Sequence, residues 1–239
     1  MLQVANLSKR YGHLTALSEV SFSIRSGEVL GVIGPNGSGK TTLFECLGGA
    51  LPPDGGAMLR DARPLTPAER VATVFYLPDL IAPWPHQTVR WALRFTVGYW
   101  RGSGSDVVKR LELDPLLNSR IGTLSKGQLK RVLLAIGLLT PQPVLLADEP
   151  FDGLDLRQTR EVAETLRHYA AAGRTMLLSI HQIRDAARVC DRFVLLSGGR
   201  TRGEGTLTEL SARASSLRGP LSPGGSPVTD LEEVFLALT

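Results

Sequence analysis

Residues 34–42 read GPNGSGKTT, and they stand between an apolar run, Val29–Ile33, and a segment patterned as a helix from Lys40 to about Gly49. The glycines permit backbone angles closed to other residues and let amide N–H groups approach an anion. The helix that follows presents unpaired N–H groups and the positive end of its dipole. Phosphate is the ligand such a loop suits, and strand–loop–helix is the context the motif requires. Gly34, Pro35, Asn36, Gly37, Ser38, Gly39, Lys40, Thr41 and Thr42 are therefore the expected nucleotide-binding residues. Lys40 has the length to reach β- and γ-phosphates. The Thr41 hydroxyl is a candidate Mg²⁺ ligand, with water and phosphate oxygens completing the octahedron.

The rest of the chain supplies the fold such a loop needs. Leu2–Val4, Val20–Ile24, Val71–Leu77, Val144–Ala147, Thr175–Ile180 and Arg192–Leu196 read as strands. Leu129–Leu139 and Arg157–Ala171 read as helices. Strands alternating with helices mean an α/β fold with a largely parallel sheet. Between Ile81 and Arg120 the pattern turns helical, with Val89, Ala92, Leu93, Thr96 and Trp100 near one face and a break at 101–106. This predicts a small helical subdomain over about 81–122 within a main unit spanning 1–205. A short tail, 206–239, follows. It opens on a capping box, Thr206 to Glu209, and passes through a Ser/Gly/Pro-rich linker at 215–227. A second capping box, Thr229 to Glu232, then opens a helix whose apolar face holds Leu231, Val234, Phe235 and Leu238.

In an open parallel sheet, ligands bind at the carboxyl ends of the strands. Val144–Ala147 ends on Asp148 and Glu149. Asp148 is thus placed to hold Mg²⁺ through water, and Glu149 to orient the water that phosphoryl transfer needs. A second feature lies 23 residues before Asp148, at Ser125 in Leu124-Ser-Lys-Gly-Gln128. It reads as a capped helix start. A serine hydroxyl, a bare glycine N–H and a helix N-terminus are also a second phosphate-binding surface.

Charge and cysteine usage exclude other classes. The 27 basic and 23 acidic residues give a net charge of +4, with no run of five like charges, so nucleic-acid binding by a basic tail is not indicated. Cys46 and Cys190 have no zinc-ligand spacing. The start, MLQVANLSKRYG, has no apolar core of a signal peptide. The longest uncharged stretch, Val132–Ala147, is interrupted by Pro141 and Pro143 and too short to span a bilayer. If the chain serves transport, a partner does the crossing.

Taken in order, these motifs resemble the ATP-binding-cassette (ABC) ATPases over nearly the whole chain. Tyr11, in SKRYG, matches the aromatic residue that stacks on adenine. GPNGSGKTT matches Walker A, and LSKGQ, residues 124–128, matches the LSGGQ signature. VLLADEP matches Walker B with its catalytic glutamate, Glu149. FDGLD, ending at Asp155, matches the D-loop, and His181 matches the switch histidine.

The resemblance implies a P-loop NTPase core with an N-terminal antiparallel β region and a helical subdomain that grips a transmembrane permease. It implies ATP and Mg²⁺ as ligands. It also implies a head-to-tail dimer, expected here to be a homodimer, in which Leu124, Ser125, Lys126, Gly127 and Gln128 face the partner's ATP. Glu149 and His181 would serve catalysis. Lys126 stands where the signature has glycine. The Q-loop glutamine falls at Asp79, whose carboxylate could ligate Mg²⁺ directly or through water, or be only a turn residue after Pro78. The segment Ile81–Pro85, with Trp91, Tyr99 and Trp100, would form a docking groove or pack the subdomain's own core.

The SKG signature, the GLD D-loop, the short C-terminus and the tail LEEVFLALT resemble exporter cassettes that pair with separate ABC-2-type permeases. The expected location is the cytoplasmic face of the membrane, held there through the permease. Competing readings are a soluble cassette of translation or DNA repair, a GTPase or small-molecule kinase, and a cassette that binds ATP without turnover. The second lacks an NKxD base-reading motif and leaves LSKGQ without a role. Glu149 and His181 argue against the third, and Asp79 argues slightly for it.

Overall fold

The structure is a computed structural model. It describes residues 1–79, 81–100, 106–181, 183–217 and 231–238. Most of the loop at 101–106, most of the linker at 215–227 and the start of the second capping box lie outside the described residues.

Two sheets carry the fold. The first is antiparallel, in the order β2–β1–β4–β5, formed by β1 (Leu2–Tyr11), β2 (Leu14–Ile24), β4 (Gly55–Arg60) and β5 (Arg63–Pro64). The second has the order β10–β9–β3–β8–β7–β6. Its members are β3 (Val29–Ile33), β6 (Val74–Leu77), β7 (Val144–Asp148), β8 (Thr175–Ile180), β9 (Arg192–Ser197) and β10 (Arg200–Gly205). All of its pairings are parallel except β9 with β10.

The central strands are apolar on both faces because both faces are covered. Along β3, Val29 and Ile33 enter the core shared with the helices, while Leu30 and Val32 enter the core against the antiparallel sheet. β7 and β9 alternate in the same way. Arg192, on β9, ties the sheets together from a buried position. Its guanidinium donates to both Glu28 carboxylate oxygens at 3.1 Å and to Glu204, which also accepts from the Ser23 hydroxyl at 2.6 Å.

Helices α1 (Lys40–Gly48), α2 (Pro67–Thr73), α5 (Lys126–Leu138) and α6 (Leu156–Ala171) lie between strands. Segment 81–122 holds α3 (Val89–Trp100), α4 (Val107–Arg110) and two single 3₁₀ turns. Val89, Ala92 and Leu93 of α3 join the same core as β7 and β8, so among the described residues the segment has no separate core. α7 (Ile183–Val189) precedes β9, and α8 (Leu207–Leu217) and α9 (Leu231–Leu238) end the described chain. Leu231 and Val234 are buried, with Phe235 and Leu238 packed against the same core, as the apolar face of that helix predicts.

One strand is shorter than expected. Residues 71–73 belong to α2, and β6 begins only at Val74. The β-branched and aromatic run Val71–Leu77 mimics a strand. The local signals outweigh it: Pro67 at the first helical turn and a capping box in which Thr66 and Glu69 satisfy each other's backbone N–H groups. Among the described residues, no helix is long and apolar enough to cross a membrane.

Candidate functional site

Because β3, β6, β7 and β8 run parallel, their carboxyl ends share one edge of the sheet. That edge receives the 34–42 loop after β3, Asp79 after β6, Glu149 after β7 and His181 after β8. The topology thus gathers at one place residues up to 147 positions apart in the chain.

The loop wraps the start of α1. Gly39 caps the helix in the left-handed region (φ 104°), and a Cβ there would meet the Ala16 carbonyl at 2.7 Å. Gly37 also has a positive φ, 78°, with open space where a Cβ would point. Buried Ser38 has an Oγ with no hydrogen-bond partner. Bare glycines, free helix N–H groups and an orphaned hydroxyl fit a phosphate chain. The loop borders an open cleft of about 620 Å³, whose other walls include Tyr11, Leu14–Ala16, Glu149 and Gly198–Gly199. That volume suits a nucleotide-sized ligand. Tyr11 is half exposed at its lip.

Lys40 is buried with its Nζ 2.7 Å from the Gly34 carbonyl, 3.3 Å from that of Pro35 and 4.0 Å from Glu149. Burial lowers its pKa, and the carboxylates of Glu149 and Asp148 oppose that shift. The Gly34 and Pro35 carbonyls hold the cation at the head of the loop. Glu149 reaches His181, Oε2 to Nδ1, at 2.6 Å. Its backbone is left-handed (φ 48°), an unfavourable angle for a side chain of this size that Glu19 and Glu112 also adopt. The arrangement can bind phosphates, neutralise their charge and present a carboxylate, backed by an imidazole, to a water molecule.

Ser179 is a site residue that no motif marks. It pairs with Asp148 across β7 and β8 and is completely buried. Its hydroxyl donates to Asp148 Oδ1 and accepts from the Glu149 N–H at 3.1 Å. One side chain thus orients both acids. Only the β7–β8 register reveals it. Ser179→Ala removes a hydrogen bond to a charged group, worth about 1.5–3 kcal/mol. We expect kcat for ATP hydrolysis to fall about tenfold while KM changes less than about twofold, measured by phosphate release. An unchanged kcat would remove Ser179 from the site.

The 124–128 segment stands elsewhere. None of these residues lines the cleft at the loop. Leu124 packs against the core. Ser125 caps α5, accepting from the Gln128 N–H at 3.3 Å, while the Gln128 side chain accepts from the Ser125 N–H at 2.9 Å. Gly127 must lack a side chain because a Cβ would lie 2.5 Å from the Gly153 carbonyl. Lys126 extends to Asp152 at 2.5 Å, which raises its pKa and lowers that of Asp152. Asp155 caps α6 by accepting from the Gln158 N–H at 2.8 Å. Asp79 Oδ1 lies 2.6 Å from Lys130 Nζ, a partner no motif points to.

A glycine-rich phosphate loop after the central strand, strand-end carboxylates and parallel β–α alternation define a P-loop nucleotide-binding fold. A family model described as ABC transporter matches residues 17–152. The chain is 34% identical over 209 residues to the Nod factor export ATP-binding protein I of Burkholderia orbicola (strain AU 1054), covering 84% of this chain and 69% of that one. It is 30% identical over 207 residues to the SkfA peptide export ATP-binding protein SkfE of Bacillus subtilis (strain 168), covering 84% and 87%. A solved structure of the ATP-binding subunit of an ABC transporter superposes with a TM-score of 0.85 at 29% identity, covering 100% of this chain and 99% of that one. The chain belongs to the ABC transporter ATP-binding family, and it is an ATPase of the kind that powers transport.

Proposed function

We propose that this chain hydrolyses ATP on the cytoplasmic side of a membrane to drive an exporter whose permease is a separate chain. The observation that carries the reading is the convergence of Lys40, Glu149 and His181 at the carboxyl edge of the sheet, beside a cleft that the phosphate loop borders. The export relatives favour the direction of transport.

In this reading the adenine stacks on Tyr11, and the N–H groups of residues 36–42 hold the phosphates. Lys40 turns from the loop carbonyls to the β- and γ-phosphates. Thr41 and Asp148 would hold Mg²⁺, which neutralises charge on the phosphate oxygens when bound. The fit rests on the Thr41 position in the cleft wall and on the Asp148 oxygen left over from Ser179. Glu149 orients a water for in-line attack on the γ-phosphorus and takes its proton as the bond to the β–γ bridging oxygen breaks. His181 steadies the Glu149 carboxylate and lies ready for the γ-phosphate.

Residues 124–128 lie outside that cleft, which favours their acting on a nucleotide held by a second copy of the chain. Ser125, Lys126, Gly127 and Gln128 would then complete the partner's site, with Asp155 at the junction. The helical segment 81–122 would dock the permease. Its Trp84, Trp91, Phe95 and Tyr99 form an exposed aromatic row, with Trp91 and Phe95 stacked at 5.1 Å. That arrangement favours the docking alternative over a buried subdomain core.

Mg²⁺-dependent phosphate release by the purified chain tests the ATPase reading, and its absence with nucleotide bound would contradict it. For docking, the paired substitution Trp91→Ala and Phe95→Ala is expected to move the chain from the membrane fraction to the soluble fraction in cells carrying the permease. ATP binding by the purified variant should be retained. Undiminished membrane association would refute docking through this face.

A further inference from the structure

Lys130 is a buried cation that the mechanism above does not use. It sits on α5, two residues beyond Gln128, with a side chain 3% exposed. An ammonium has three N–H donors. Here they face three acceptors: Asp79 Oδ1 at 2.6 Å, the Asp148 carbonyl at 3.4 Å and the Asp79 carbonyl at 3.5 Å. One side chain therefore joins α5, the end of β7 that carries Asp148 and Glu149, and the end of β6 from which the chain runs into the aromatic segment.

We infer that Lys130 is a positioning residue that couples the nucleotide cleft to the aromatic segment, with Asp79 as its charge partner. Removing a buried charge from water is costly unless it is paired and hydrogen-bonded. The pair therefore resists separation, and β6, β7 and α5 shift together or not at all. Asp79, occupied in this way, acts as the anchor of the segment entering 81–100 and not as a metal ligand. A neutral side chain at 79 would leave Lys130 without its counter-charge.

The inference rests on the nucleotide-binding reading, and the molecule carries its own reporter. All three tryptophans, Trp84, Trp91 and Trp100, lie in that segment. Tryptophan emission therefore reads the aromatic segment alone, and calorimetry reads ATP binding separately. In the wild type, Mg-ATP is expected to change the emission. Lys130→Met should keep ATP affinity within about threefold, lose most of the emission change, and lower kcat about tenfold with little change in KM. Because the two groups act as a unit, Asp79→Asn combined with Lys130→Met should be no worse than Lys130→Met alone.

Full emission response and normal kcat in Lys130→Met would overturn the inference, as would additive losses in the double variant. A wild type that binds ATP without any emission change would overturn it too. A wild type that binds no ATP would bring down the nucleotide reading itself, and this inference with it.

Discussion

Glu149→Gln is expected to abolish turnover while leaving ATP bound. The substitution keeps the size of the side chain and removes the carboxylate proposed to take a proton from water. Removing one well-placed group from such a site typically costs about 10²–10³ in rate. Because Lys40 makes its closest contacts with the Gly34 and Pro35 carbonyls, with Glu149 at 4.0 Å, the phosphate loop should keep its shape when the carboxylate becomes an amide. The amide can still meet His181 from its present 2.6 Å. Phosphate release falling at least about 100-fold with an ATP affinity within a fewfold of wild type is the expected pair of results. Hydrolysis at the normal rate would show that another group activates the water.

Lys40→Ala should act on the opposite quantity. Its ammonium is the cation of the phosphate loop, and hydrogen bonds to charged groups contribute about 1.5–3 kcal/mol each. Their loss raises the ATP dissociation constant about 10- to 100-fold. Adenosine, which has no phosphates, should bind both proteins alike. Calorimetric titration with ATP and with adenosine separates the two effects. Equal weakening for both ligands would mean that the substitution damages the fold and not the phosphate contacts.

Both variants fall on residues that the amino-acid sequence alone makes legible. The phosphate loop announces itself because its function depends on local spacing: glycines, lysine and threonine must follow one strand directly. Asp148 and Glu149 are legible for the same reason, as acids at the end of an apolar run. The buried strands are legible from their apolar runs, and the two faces of β3 feed different cores as continuous hydrophobicity implies.

Other features are set by contacts that no local pattern encodes. Ser179 meets Asp148 only because β7 and β8 pair in one register. Lys130 meets Asp79 across 51 residues of chain. Gly198 and Gly199 reach the cleft because the β9–β10 turn folds over the loop, where the Gly199 N–H donates to the Ser38 carbonyl at 3.1 Å. The end of α2 is hidden because Val71–Thr73 runs without a break into the apolar and aromatic Val74–Leu77, while the decisive signals, Pro67 and the Thr66–Glu69 cap, lie upstream of it.

The 124–128 segment has a local structural role and a proposed one beyond it. Ser125 and Gln128 close the capping box of α5, and Gly127 admits the Gly153 carbonyl. Each local contact explains its residue type without a nucleotide. These contacts leave Ser125 and Lys126 exposed, outside the chain's own cleft. Under the proposed function, a second copy of the chain would bring its nucleotide to that surface.

The most direct test is the light-scattering mass of the Glu149→Gln protein with and without Mg-ATP. A monomer of 25.8 kDa is expected without nucleotide, and twice that mass with it. A protein that binds ATP yet remains at the monomer mass would contradict the two-copy site.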